Sequence, residues 1–154
     1  MLQPDGPSAN LAGAYALTLT ADSACTNLPA AARMRRYTAV MTPGYRPTTF
    51  VGRLSDARIV ASAFSPFLEV SVASDFASVT LGMVERVDET TYLAIQGRAE
   101  ATIGPSGIDA PFNAGVLLCP APPEWTAGEY WACAGGVQGV ECNAANHQFT
   151  LVRR

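Results

Sequence analysis

Apolar and polar residues alternate one by one along most of this chain, the period of strands that bury one face and wet the other. In Ala14–Ala21, Tyr15, Leu17 and Leu19 fall on one side and Thr18 and Thr20 on the other. The same pattern predicts strands at Tyr37–Thr42, Thr48–Leu54, Leu68–Val72 and Ala77–Met83, with a Pro43-Gly44 turn after the second. Leu93, Ile95, Gly97, Ala99, Ala101 and Ile103 then alternate with Ala94, Gln96, Arg98, Glu100 and Thr102. Pro105-Ser106-Gly107 turns the chain, and Ile108, Ala110, Phe112, Ala114, Val116 and Leu118 return as the facing apolar row. The last predicted strand is Gln148–Arg153, with Phe149 and Leu151 inward. Ile59–Ala63 is a weaker strand candidate. Leu28–Arg36, where Ala30-Ala31-Ala32 follows Pro29, predicts a short helical turn.

About eight strands in serial order, joined mostly by short turns, predict an all-β fold. The expected architecture is a single antiparallel up-and-down β-barrel with one short helical turn, since full closure removes exposed sheet edges. It spans residues 11–154, after a linker at residues 1–10 rich in Pro, Gly and polar residues.

The cysteines fit that order. In such a barrel odd strands end at one rim and even strands begin there. Cys25 follows the first strand, Cys119 the seventh, and Cys142 precedes the eighth, with Cys133 between the last two. All four fall at one rim. First and last strands are neighbours in a closed barrel, which brings Cys25 near Cys142 and leaves Cys119 with Cys133, out of three pairings possible in principle. A Cys25–Cys142 bond would close nearly the whole chain, worth about 2–5 kcal/mol.

Composition narrows the setting. The chain has 154 residues, 49% of them apolar and 15% charged, which excludes a disordered chain and suits one domain with a real core. All ten basic residues are arginine, and the net charge of −3 argues against a nucleic-acid surface. No apolar run approaches the roughly 18–20 residues of a membrane-spanning helix. Four cysteines without a CxxC pair read as disulfides in an oxidising compartment rather than as a zinc site. Met1–Asn10 lacks the basic start and apolar stretch of a signal peptide, so the expectation is an exported protein whose signal, or lipid anchor on the precursor, lies outside this sequence.

Gly13-Ala14-Tyr15 opens the first strand where lipocalin-like barrels carry Gly-x-Trp, and Phe149-Thr150-Leu151-Val152-Arg153 closes the last where they often place an arginine across the closed end. On these residues the chain resembles the lipocalin-like (calycin-type) barrels. Thr18–Asp22 with Cys25, Arg36–Ala39, and Cys142 leading into His147–Leu151 resemble more closely uncharacterised secreted or lipoprotein domains of bacteria. The resemblance implies a barrel that carries a small apolar ligand.

Catalytic chemistry finds little purchase. Without lysine there is no Schiff-base nucleophile, and one histidine cannot make a two-His metal motif. His147 lacks a Gly-x-Ser-x-Gly elbow and reads as a rim residue starting the last strand. Asp88 and Glu89 flank a turn, and Glu69 and Asp75 lie outside; no pair faces a common cleft as glycosidic hydrolysis requires. No cofactor, metal or enzymatic activity is expected.

Binding chemistry concentrates in Cys119–Cys133, which holds both tryptophans, Trp125 and Trp131, with Tyr130. Prolines and a disulfide would preorganise these aromatics as a lid over the barrel mouth, a partner-binding knob or a plug of the open end. Inside the barrel, Gly97, Ala99, Ala101, Ala110 and Ala114 leave room either for a ligand or for the large residues Tyr15, Phe50, Phe112 and Phe149. The first expectation is a non-enzymatic carrier of a small apolar molecule, contacted by Trp125, Tyr130, Trp131, Tyr15 and Phe112. The alternative is a structural or protein-interaction module of a bacterial surface or secreted assembly, with a filled barrel and the same aromatic segment as its contact.

Overall fold

The computed structural model describes residues 9–56, 58–61, 65–124 and 132–154. Eight long strands close into a barrel: β1 (Gly13–Thr20), β2 (Met34–Pro43), β3 (Thr49–Ser55), β4 (Phe67–Ala73), β5 (Phe76–Arg86), β6 (Tyr92–Thr102), β7 (Gly107–Cys119) and β10 (Val140–Arg153). A two-residue pair, β8 (Pro123–Glu124) and β9 (Ala132–Cys133), sits between β7 and β10. Every barrel strand runs antiparallel to its neighbours in chain order, and β1 pairs with β10 to close the ring. Leu17 faces Leu151 and Leu19 faces Phe149 across that seam, so the closure is itself core. The helical turn α1 (Ala30–Arg33) is shorter than its sequence signal because β2 already begins at Met34.

The turn end of the barrel collects the short β2–β3, β4–β5 and β6–β7 connections. Gly107 illustrates how tight these are. Its φ is +138°, and a Cβ there would sit 1.8 Å from the Leu151 carbonyl oxygen, so only glycine serves at this point of the last hairpin. The opposite, cysteine end carries the longer connections and both disulfides, Cys25–Cys142 and Cys119–Cys133, the pairing the strand order favours.

The last strand departs from expectation. It begins at Val140, eight residues before Gln148, so Cys142 lies within it rather than ahead of it. Residues 140–147 hold only one large aliphatic, Val140, and backbone pairing to β7 builds this stretch instead of apolar alternation. The register shifts between Ala144 and His147. Cys142 and Ala144 face the core before that bulge, and His147, Phe149 and Leu151 after it. An odd spacing of three separates Ala144 from His147, and the extra residue of a bulge is what lets both point inward. The weak Ile59–Ala63 strand reduces, among the described residues, to an isolated bridge from Ile59 to Glu85.

Inward side chains fill the barrel. Tyr15, Leu17, Leu68, Val70, Val79, Leu81, Met83, Leu93, Phe149 and Leu151 are 0% exposed, so no water-sized space adjoins them. Phe112 packs on Phe149 with ring centroids 5.7 Å apart. The exterior carries Arg36, Arg53, Glu69, Arg98, Glu100 and Asn113 in the open. Apolar inside and charged outside is the reverse of a barrel that crosses a bilayer with its strands. No helix among the described residues is long and apolar enough to cross a membrane.

Candidate functional site

The cysteine end buries four polar side chains that converge from three strands. On β5 the inward row Ala77, Val79, Leu81 and Met83 continues to Glu85, which is 0% exposed. On β2 the inward row Met41, Ala39 and Tyr37 continues to Arg35. The Glu85 carboxylate accepts on one oxygen, Oε1, from both Arg35 Nε and the Tyr37 hydroxyl, the latter at 2.7 Å. Arg35 Nη1 donates to the Ala31 carbonyl at 3.0 Å and so ties α1 to the barrel. Burial, then the Glu85 charge, raises the Tyr37 hydroxyl far above its usual range, and the bond to Glu85 raises the Arg35 guanidinium. Arg35 Nη2 and Glu85 Oε2 have no hydrogen-bond partner among the described residues.

His147 completes the group from β10. It is buried, and its Nδ1 accepts from the Asp22 backbone N–H at 2.9 Å. The neutral ring therefore carries its proton on Nε2, which has no partner in hydrogen-bonding geometry among the described residues. Burial lowers its pKa, while the nearby Cys142 and Ala114 carbonyls and the Asp22 carboxylate pull the other way. The expectation that His147 starts the last strand is thus corrected: it sits inside β10, turned into the core by the bulge.

Residues 21–33 cap this end. The segment is held by the Cys25–Cys142 disulfide, by Asn27 Nδ2 donating to the Glu141 carbonyl, and by Arg33 donating to the Leu28 and Cys25 carbonyls. Beneath it a cavity of about 20 Å³ is lined by Leu19, Arg35, Ile95, Phe112, Val116 and His147, among others. That volume accommodates one water-sized particle, far short of the roughly 300–1,000 Å³ of a small-molecule pocket.

A second apolar cluster lies on the outside of the barrel. Val84, Ala94 and Leu117 pair across β5, β6 and β7 on the outer face, yet are buried with Cys119 and Cys133. The base of the disulfide-closed segment therefore folds back over the outer wall instead of across the mouth. Beside it, Gln96, Arg98, Asn113, Gly115, Glu141 and Asn143 of β6, β7 and β10 line an open outer groove of about 640 Å³.

Trp125, Tyr130 and Trp131 lie outside the described residues. Tyr15 and Phe112 are buried core side chains at opposite ends: Phe112 borders the small cavity, and Tyr15 lies at the turn end with the Arg153 guanidinium 5.0 Å from its ring centroid. Arg153 also donates to the Ala12 and Asn10 carbonyls, closing that end as the lipocalin-like resemblance implies. The Arg35–Tyr37–Glu85 group escaped the sequence reading, although extending each inward row by one alternation step reaches it. No group of three or more His, Cys, Asp or Glu able to hold a metal ion occurs among the described residues. Comparison with protein-family models, curated proteins and solved structures gave no match, and the likeness to lipocalin-like proteins is one of barrel architecture.

Proposed function

We propose that this domain is a non-enzymatic structural or protein-interaction module of an extracytoplasmic assembly, built on a filled barrel. The observation that carries this reading is the zero exposure of inward side chains from six of the eight barrel strands, which leaves a single-particle cavity in place of a ligand chamber. The two disulfides suit an oxidising, extracytoplasmic setting. Contact falls to the outer wall of β6, β7 and β10 with its polar groove, and Trp125, Tyr130 and Trp131 are its proposed aromatic contacts. A rigid sheet floor, polar side chains and aromatic anchors are the ingredients of a protein contact. Kinship with the lipocalin-like barrels and a bacterial lipoprotein origin belong to the same proposal.

The carrier of a small apolar molecule is the second reading, favoured by the lipocalin-like closure of Arg153 over Tyr15. One experiment separates the two. A photo-crosslinker is placed at Asn113 in the groove, or at Arg53 on the opposite wall, in protein expressed in its natural host. A defined protein adduct from the groove position alone, with no ligand mass in native mass spectrometry, is the expected result. A reproducible apolar ligand that leaves on denaturation, without a site-specific adduct, overturns the module reading and restores the carrier.

A further inference from the structure

The outer groove of β6, β7 and β10 has a bare centre. Gly115 holds an outward position of β7, between the inward Ala114 and Val116, and brings no side chain to it. Strand register sets what surrounds it. Gln96 and Asn143 stand directly opposite Gly115 on β6 and β10, and Asn113 stands two residues back along β7. Arg98 and Glu141 take opposite diagonal corners, paired across the strands with Asn113 and Leu117. These residues line the groove of about 640 Å³, and all five side chains around Gly115 are exposed. The ion pairs among the described residues, Arg35–Glu85 and Arg58–Asp56, use neither Arg98 nor Glu141. The groove therefore has a positive corner and a negative one, about 16 Å apart between Cα atoms at ordinary strand rise and spacing.

We propose that this groove binds an extended peptide segment of a partner protein that carries an acidic and a basic residue about four positions apart, the acid meeting Arg98 and the base Glu141. The inference rests on the outer wall being the contact surface. Residues four apart in an extended chain point to one side and stand about 13 Å apart, and the long side chains at both corners close the rest. Between the corners, the carboxamides of Gln96, Asn113 and Asn143 each offer a donor and an acceptor, which a peptide unit matches with its C=O and N–H. The bare Gly115 lets a main chain lie close to the sheet. Each barrel strand is already paired on both sides, so a bound segment adds to no edge and the side chains of the groove do the reading. An uncharged glycan would pair with the amides but leave both corners without a counter-charge.

The test is a selection of random octapeptides displayed on phage against the unmodified full chain. The expected result is enrichment of peptides with an Asp or Glu and a Lys or Arg about four positions apart, in one fixed order. A chain carrying Arg98→Glu together with Glu141→Arg keeps its net charge and is expected to enrich the reverse order. It is also expected to bind synthetic copies of the first peptides about tenfold more weakly, because two exposed attractions become repulsions. If the exchanged chain does not fold, the order selected by the unmodified chain decides. No enrichment, enrichment without the charge pair, or an order indifferent to the exchange overturns the inference. A chain that selects no peptide but binds on a glycan array overturns it equally. A protein adduct from Asn113 alongside any of these failures leaves the module reading standing, so the two fail separately.

Discussion

The two ends of the barrel are closed by opposite means. At the turn end the connections are short, backbone ladders run almost to the rim, and a single exposed arginine, Arg153, lies over the buried ring of Tyr15. At the cysteine end the connections are long, and closure uses buried charge, a capping segment and two covalent bonds. The difference teaches where polar groups go inside a small barrel. Short turns need no interior glue, because hydrogen-bonded pairs meet directly. A long segment such as residues 21–33 must be pinned from within, and Arg35, reaching from Glu85 to the Ala31 carbonyl, does that pinning.

Glu85→Gln and the loss of the Cys25–Cys142 bond strike the cysteine end hardest, and about equally. The substitution leaves the Arg35 charge buried without its partner, and the expected loss of stability in urea unfolding is about 3–5 kcal/mol. If the loss is under 1 kcal/mol, the charges are not what holds this end. The Cys25–Cys142 bond is removed by a double Cys→Ser change. Its residues lie 117 apart, against 14 for Cys119–Cys133, and the expected loss is about 4–5 kcal/mol against about 3 kcal/mol, on a chain-entropy view. Reversal of that order in thermal unfolding would show that the outer cluster of Val84, Ala94 and Leu117 depends on its disulfide more than the cap does on the other.

Acid probes the same end more gently. The folded-state pKa of His147 lies below its ordinary value of 6.5, so the unfolded chain binds a proton more readily. Stability contributed by the neutral ring is present above about pH 6.5 and is lost as pH falls through the folded pKa. Melting temperature followed from pH 8 to pH 5, as roughly spaced steps across that window, is expected to fall, and His147→Gln to flatten the fall. The smallest effect belongs to the turn end. Arg153→Met removes a cation–π contact at a surface, and the expected loss is about 0.5–1 kcal/mol, with the barrel otherwise intact by circular dichroism.

Much of this molecule is legible in the chain because each strand declares its buried face through alternation. Leu17 and Leu19, or Val70 and Val72, could hardly face elsewhere. The rim position of the cysteines follows from strand parity alone. The beginning of β10 was hidden for a physical reason: Glu141–Asn146 has no large apolar residue to mark a face, and the bulge before His147 breaks the parity that reads the others. The buried ion pair was hidden differently. Glu85 and Arg35 stand in register with apolar rows, but a charged residue at a row's end signals exposure until a partner on another strand is known. Which partner lies across the barrel is a property of closure and shear, and no local pattern carries it. Val84, Ala94 and Leu117 have the same character: outward by parity, apolar by composition, and explained only by what folds back over them.

The seam between β1 and β10 sets the direction in which the molecule faces its surroundings. Gly13 and Arg153 lie at the turn end, where Arg153 reaches back to Asn10 and Ala12, and Arg154 donates from its backbone to Ala14. Chain joined at either end would leave from this pole. A tether to a surface or a neighbouring domain there would hold the barrel upright like a lamp on its stem, with the end capped by residues 21–33 farthest from the support and first to meet whatever approaches.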